Sequence, residues 1–457
     1  MPALLCIAQS YAPETTPTAI RASKLLERLA GEWDITVLTE APQSGPAGRV
    51  RVQTVAGRRP RRLLSWLRRL RLNKLIELFV WPDESIFWLA GAIRAGRRLA
   101  AEKRPAAIVV FMMPYSTGLV GLALRRLTGA ALVLNLDDSL TCTDMHPHHP
   151  TKLHYRLATA LEDHYVRAAD AVVYVSRHNL EAVAARAPAD ARERLRLVRY
   201  GADPAAFEPE PESEPESEPE RSAERPRFEI AYVGAMSGWW ALIGEGPAGP
   251  AKRLFAAWTR LGRHQLTVLD QRTSSPAVIG GAVLDVLAER PEWSGQIGVT
   301  LYGNPYDRSV VDRALHSAGV QDVVTVRDPV PHAQVARIIS GADLLFITLP
   351  RRTDGSPGGR ISAKTYEYLM TDRPILAAVP HGENWSFLEG RPGVWLVEPD
   401  DREAMRAVIL ELARAALSGS PLAFDRRGLR GELSYDTRAG EFAAVIRAAI
   451  ARRAGSR

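Results

Sequence analysis

Short apolar runs alternate with amphipathic segments along this chain, and they do so twice, on either side of a run with no apolar face at all. That run, EPEPESEPESEPERSAERP at 208–226, alternates Glu, Pro and Ser, and so reads as an extended, solvated linker. The alternation on its flanks is the pattern of stacked βαβ units around a parallel sheet. Upstream the strand candidates are 3–9, 34–39, 51–55, 107–112, 131–137, 171–176 and 195–200, with helical patterns such as 19–30 and 152–168 between them. Downstream they are 228–234, 265–270, 298–303, 323–327, 343–349, 374–379 and 394–397. The fold class is therefore α/β, with two Rossmann-like domains in tandem: 1–207, the linker 208–226, then 227–434. A clean amphipathic helix within 435–457 follows. Beyond this doubling there is no internal repeat.

Composition narrows the class further. A chain of 457 residues, 46% apolar and 24% charged, has material for two cores. No stretch approaches the roughly 20 uncharged apolar residues that a membrane-spanning helix needs. The opening MPALLCIAQSYAPE reads as a buried strand without a basic n-region, so a secretory signal is not expected. Two cysteines, Cys6 and Cys142, exclude a disulfide framework and suit a reducing cytoplasm. The net charge is +7, but seven acids lie in 208–220 with no base among them, so the rest of the chain carries +14. Such a field attracts nucleotides, anionic headgroups or nucleic acid without choosing among them.

Ligands of open parallel sheets bind beyond the carboxyl ends of the strands, so chemistry is expected in loops after strands. The segment PRRTDGSPGGRISAKTYEYLMTDRPILAAVP at 350–380 reads as such a loop, then a helix, then a strand. Gly355, Gly358 and Gly359 permit close backbone approach to a ligand. A helix starting at Ser362 or Ala363 turns free N–H groups toward the loop, and Arg360 and Lys364 add full positive charge, which together suit a diphosphate. Glu367, one turn in, is placed to accept hydrogen bonds from vicinal hydroxyls, as on a ribose. Alone, a Gly-rich loop before a helix is weak evidence, and a tight connection with a solvated Glu367 is the plain alternative.

ISAKTYEYLMTDRPILA, however, resembles the donor-site segment of family 4 glycosyltransferases in the form SxKxxEYLxxxxPxLA. In the same order along the chain, 11–39, 81–99, 134–139, 160–176, 200–207 and 330–346 resemble further landmarks of that family. The resemblance implies a GT-B glycosyltransferase: a nucleoside-diphosphate sugar in the C-terminal domain, an acceptor hydroxyl of a glycan, lipid-linked or small-molecule substrate in the N-terminal one, and reaction in the cleft. It also implies retention of anomeric configuration, no divalent metal and no other cofactor, and a role in cell-envelope or glycan biosynthesis. By the same carry-over, Lys364 and Arg360 meet the diphosphate, with Gly234, Gly358, Gly359, Ile361, Ser362 and Ala363 around the donor. Glu367 binds the ribose, and Val330 and His332 meet the base. The C-terminal helix crosses back onto the N-domain.

Two departures matter. The first of the family's two donor-site glutamates, eight positions before Glu367, is Gly359 here. The Arg that usually follows the strand AYVG is Ala235, which leaves Lys252 or Arg253 as the substitute after an inserted loop. Two other readings therefore stand beside the transferase: a nucleotide-sugar 2-epimerase on the same fold, or a non-catalytic GT-B binding module.

In LNLDDSLTCTDMHPHHP at 134–150, Asp137 or Asp138 is placed to meet the acceptor, with capping of the next turn as the alternative, and Asp138 is the candidate. Cys142, Asp144, His146, His148 and His149 match no common zinc spacing, so no metal is expected. The loop 10–19 is expected to contact acceptor or phosphate, with no residue singled out. Residues 58–74 hold eight Arg or Lys and no acid, with Leu63, Trp66, Leu67 and Leu70 at helical spacing. A basic amphipathic helix with a Trp reads as an anchor for anionic lipid, here the inner face of a membrane; a packed helix with a solvated basic face is the alternative. Nucleic acid is not expected as a partner, since no aromatic-interleaved basic patch or reading module is present.

Overall fold

The computed structural model describes residues 1–40, 49–141, 144, 147–207, 227–234, 236, 238–243, 250–303 and 307–455. Side chains of 240, 251, 252, 332 and 333 are not described. The linker 208–226, Ala235, Cys142 and His146, and the side chains of Lys252 and His332, thus lie outside the described residues.

The chain forms two compact units. Unit 1 comprises Met1–Gly201, Leu254–Leu266 and Tyr435–Arg457; unit 2 comprises Ala202–Arg253 and Thr267–Ser434. In unit 1 the strands are β1 (Ala3–Ala8), β2 (Asp34–Thr39), β3 (Arg51–Thr54), β4 (Ala107–Phe111), β5 (Ala131–Leu136), β6 (Ala171–Tyr174) and β7 (Leu195–Leu197). They pair in the order β3-β2-β1-β4-β5-β6-β7, all parallel. Central strands such as AIVVF in β4 and ALVLNL in β5 are buried along their whole length, because helices cover both faces. Burial also pushes the Cys6 thiol of β1 well up. One face carries Leu5, Ile7, Val110 and Leu134. The other carries Leu4, Cys6, Val109 and Val133, and is closed by Phe442 and Ile446 of the C-terminal helix Tyr435–Gly455.

In unit 2 the strands are β8 (Phe228–Val233), β9 (Ile297–Tyr302), β10 (Val324–Arg327), β11 (Leu344–Thr348), β12 (Ile375–Ala378) and β13 (Val394–Val397). Their order is β10-β9-β8-β11-β12-β13, again all parallel. Both units are thus doubly wound, with the strand order reversing beside the first strand: at β1/β4 in unit 1 and β8/β11 in unit 2. Those reversals are where an open α/β sheet leaves a crevice for ligand.

Three expectations change. Residues 265–270 are not a strand of the second sheet: His264–Gln265 pairs antiparallel with His148–His149, and Leu269–Asp270 pairs antiparallel with Arg351–Arg352. Half-polar and short, this segment has no continuous apolar run to bury on two faces. Second, Leu254–Leu266, inside the stretch 227–434, joins unit 1. The Lys74 ammonium, itself buried, donates to the carbonyls of Trp258 (2.8 Å) and Leu261 and lies 5.3 Å from the Trp258 ring, which ties the segment down. Third, 58–74 is broken into helices Arg61–Arg69 and Asn73–Phe79, with Arg71 between them at φ 58°, a conformation that ends a helix. Among the described residues no helix is long and apolar enough to cross a membrane.

Candidate functional site

At the unit 2 reversal, β8 ends at Val233 and the chain turns at Gly234, whose φ of 138° is closed to most side chains. A Cβ on Gly234 would lie 3.1 Å from Cε and 3.4 Å from Nζ of Lys364. The glycine therefore makes room for an ammonium at the end of the first strand. Lys364 Nζ donates to Tyr232 Oη at 2.7 Å and sits 3.9 Å from the Tyr232 ring centre. A cation held over an aromatic face keeps its position while its remaining protons stay available to a ligand. One turn on, Tyr368 Oη accepts from Val233 N–H at 2.9 Å, which locks the helix to the strand end. Burial is the chief reason the Tyr368 phenol is held well above its usual range, so it remains a neutral partner.

The helix that presents these groups, Ala363–Tyr368, has six residues, shorter than the sequence pattern suggests. Its N-cap Ser362 makes no side-chain cap bond. With one and a half turns there is little macrodipole, so the positive charge here is chiefly that of Lys364 itself. Glu367 is half-buried on the same helix, Ile361 is half-buried, Ser362 is buried and Ala363 is exposed.

The glycine-rich loop is more built than its composition suggests. Asp354 accepts from the N–H (3.0 Å) and hydroxyl (2.7 Å) of Ser356, which lower its pKa, and Gly355 turns at φ 73°. Gly358 N–H donates to His381 O (3.1 Å) and its carbonyl accepts from Glu383 N–H (2.8 Å). A Cβ on Gly382, at φ 145°, would fall 2.2 Å from that carbonyl. Gly358 thus serves a backbone-to-backbone seam with 381–383. Gly359 is buried, Arg360 is exposed, and Val330 is half-buried just before helix His332–Gly341. The structure brings Gly234, Lys364 and the unpredicted Tyr232 together. It establishes no contact between them and Val330 or Arg360.

The unit 1 reversal is organised differently. Asp137, just after β5, accepts from Thr18 Oγ1 (2.6 Å), Asn135 Nδ2 (3.1 Å) and Tyr200 Oη (2.8 Å), with Arg21 Nε at 3.8 Å. Arg21, fully buried, also donates to the carbonyls of Val198 and Arg199 at 2.7 Å each. Burial first, then the Asp137 charge, keeps the Tyr200 phenol far above its ordinary value. Asp137 is therefore consumed by the fold, while Asp138 is half-buried and is the second cause, after burial, of a raised Tyr115 pKa. The loop 139–141 hangs on Glu162, fully buried, which accepts from Ser139 Oγ (3.0 Å), Leu140 N–H (3.1 Å), Thr141 Oγ1 (2.8 Å) and Tyr174 Oη (3.2 Å) and pairs with Arg186. Burial alone would lower the Arg186 pKa, but Glu162 and Asp163 outweigh it and raise it.

His148 and His149 lie in the short ladder to Gln265 and His264, and His149 packs at 5.4 Å on Tyr155. Among the described residues no three His, Cys, Asp or Glu are grouped to hold a metal. In the 10–19 loop, Thr16 caps the helix Pro17–Leu29, and the signal hidden there is Thr18 and Arg21, both aimed at Asp137.

Solved structures with this architecture cover nearly the whole chain. The Anabaena protein HepE in complex with UDP and glucose aligns with TM-score 0.60 at 13% identity, over 98% of this chain and 99% of that one. Sucrose-phosphate synthase from Thermosynechococcus elongatus aligns with TM-score 0.63 at 14% identity, over 98% of each chain. A trehalose 6-phosphate synthase from Burkholderia multivorans aligns with TM-score 0.56 at 16% identity, over 100% and 98%. At such identities the likeness establishes the GT-B fold. No curated protein sequence matches the chain. Residues 18–201 match the model of the glycosyl transferase 4-like domain, which spans β2 to β7 and the Asp137 and Glu162 networks. Residues 18–201 thus resemble a glycosyl transferase 4-like domain, within a chain that has the GT-B fold.

Proposed function

We propose that the protein transfers a sugar from a nucleoside-diphosphate donor, bound at the unit 2 reversal, to an acceptor hydroxyl bound by unit 1, with retention and without a divalent metal. The observation that carries this reading is the Lys364 ammonium held over Tyr232 beside Gly234. The acceptor oxygen bonds to the anomeric carbon as its bond to the diphosphate oxygen breaks. The electron pair leaves with the diphosphate, and the acceptor's proton passes to a leaving phosphate oxygen. Lys364 stabilises the negative charge as it develops, with Arg360 and Lys252 as further cations. Glu367 accepts from the ribose hydroxyls, and backbone near Val330 and His332 meets the base. HepE, similar in fold, has been seen with UDP, which makes uridine the first base to test. On the acceptor side Asp138 is the candidate contact.

Helix Arg61–Arg69 favours docking on an anionic bilayer. Leu63, Trp66 and Leu70 are 54%, 56% and 50% exposed, between Arg61, Arg62, Arg68 and Arg69. Apolar side chains insert while arginines meet the headgroups.

The test is thermal denaturation with UDP, GDP or ADP in the presence of EDTA. One nucleotide at about a hundredfold over its Kd stabilises by about 2.7 kcal/mol, or roughly 5–10 °C for a unit of this size. The shift is expected to vanish in Lys364→Ala and Glu367→Ala. No shift from any nucleotide with the folded protein overturns the donor site. A shift that appears only when Mg2+ replaces EDTA overturns metal independence.

A further inference from the structure

Unit 1 contains a cavity of about 390 Å3 that the reading above does not use. Its walls are Ile76 and Val80 beside helix Asn73–Phe79, Trp81, Met113, Leu140, and Ala158 of helix Lys152–Ala168. The volume falls within the range of about 300–1,000 Å3 typical of small-molecule sites. Met113 and Tyr115, also in its wall, directly follow β4, at the strand-order reversal where an open parallel sheet receives ligand.

The chemistry of the lining selects the occupant. Hydrocarbon and aromatic side chains dominate it, and two of its acids, Asp83 and Glu84, are already engaged. Asp83 accepts from Ser85 N–H (3.0 Å), Ser116 N–H (2.9 Å) and Ser116 Oγ (2.6 Å), and Glu84 pairs with Arg68. A sugar ring placed against the apolar wall would lose water without regaining hydrogen bonds, whereas a hydrocarbon chain loses nothing. Further polar groups in the lining are Glu77, exposed, and His148, half-buried. On the same helices, one residue along from Val80 and from Ala158, Phe79 is 82% exposed and Leu157 is 42% exposed. Both wall segments thus also present an apolar side chain to solvent.

We infer that this cavity holds the hydrocarbon chain of an amphiphilic acceptor, with the acceptor's hydroxyl-bearing head at Glu77 and His148. This rests on the transferase reading and names its acceptor class.

The test is calorimetric titration of the full chain with n-alkyl β-D-glucopyranosides of one, four, six and eight chain carbons, each below its micellar concentration. Affinity is expected to rise about fourfold per methylene until the cavity is filled. Val80→Glu and Met113→Glu, at two half-buried wall positions on separate segments, are expected to flatten that rise, and Trp66→Ser on helix Arg61–Arg69 to leave it intact. Affinity independent of chain length overturns the inference. So does a rise retained in both wall variants, or one lost in Trp66→Ser, which would put the chain on the exposed helix surface instead. UDP-induced stabilisation on the same samples reports that each variant is folded and tests the donor site separately. A chain-length effect without UDP binding sinks the donor site and leaves the cavity; UDP binding without the chain-length effect does the reverse.

Discussion

The two units share one strand order, yet they spend their charges in opposite ways at the point where that order reverses. In unit 1 the ionic groups near the strand ends, Arg21, Asp137, Glu162 and Arg186, are buried or half-buried and bonded to one another, to hydroxyls and to backbone. In unit 2 the corresponding edge holds Lys364, resting on a tyrosine and given space by a glycine. Buried networks of the first kind specify where loops go, because every member is costly to leave unmatched. A cation of the second kind keeps protons to donate. The same fold thus uses charge as scaffold at one edge and, on the proposed function, as reagent at the other.

The comparison breaks most visibly at Glu162. Glu162→Ala removes a fully buried carboxylate, leaves three loop donors unmatched and leaves Arg186 with Asp163 alone, so unit 1 is expected to lose about 3–5 kcal/mol. Calorimetry should show the unit 1 transition falling while UDP still stabilises unit 2. A melting profile unchanged by this variant would mean that the network is not scaffold. Lys364→Ala is the converse. Loss of a cation at the leaving group is expected to lower kcat about 10²–10³-fold, as removal of one charge-stabilising donor does elsewhere, with the melting temperature nearly unchanged. Loss of fold rather than rate would put Lys364 with the scaffold.

Which of these roles the sequence disclosed follows from distance along the chain. Thirteen sheet strands were readable because a parallel strand covered on both faces is a continuous apolar run, as in AIVVF and DLLFITL. The proposed donor segment is legible because Lys364 and Glu367 lie in one short stretch. The stretch at 265–270 is not, since a half-polar run looks alike whether it joins a large sheet or two small ladders. Nor is the role of Arg21, whose partners lie 114 to 178 positions away, or of Tyr232, 132 positions before Lys364. The pair Asp137–Asp138 shows the limit most plainly. Neighbours of identical type have different surroundings, and only the fold shows that Asp137 is the one bonded to Thr18 and Tyr200.

That pair supplies the next test. Asp137→Asn should cost about 1–3 kcal/mol, because it removes the charge beside the buried Arg21 and weakens the bonds from Thr18 and Tyr200. A lower urea midpoint at constant m would register it. Asp138→Asn should change stability by less than about 1 kcal/mol and act instead on turnover with acceptor. The reverse outcome would exchange the roles of the two aspartates.

The smallest expected effect sharpens the contrast at the level of single caps. Thr16 and Ser362 are both hydroxyl residues at the N-cap of a helix beside a strand-order reversal. Thr16 Oγ1 accepts from Ala19 N–H at 3.3 Å, and so spends its oxygen on its own helix. Ser362 makes no such bond, and the helix behind it is six residues long. Thr16→Ala is therefore expected to lower stability by about 1 kcal/mol, the usual worth of a filled cap, and to leave nucleotide binding alone. Ser362→Ala should leave stability within about 0.5 kcal/mol and, if the proposed donor site is right, weaken nucleotide binding several-fold, because a buried hydroxyl that caps no helix can donate to phosphate. Paired measurements of unfolding midpoint and nucleotide affinity decide it. If Ser362→Ala costs as much stability as Thr16→Ala and leaves affinity intact, the unit 2 edge is scaffold as well, and Lys364 carries the functional argument alone.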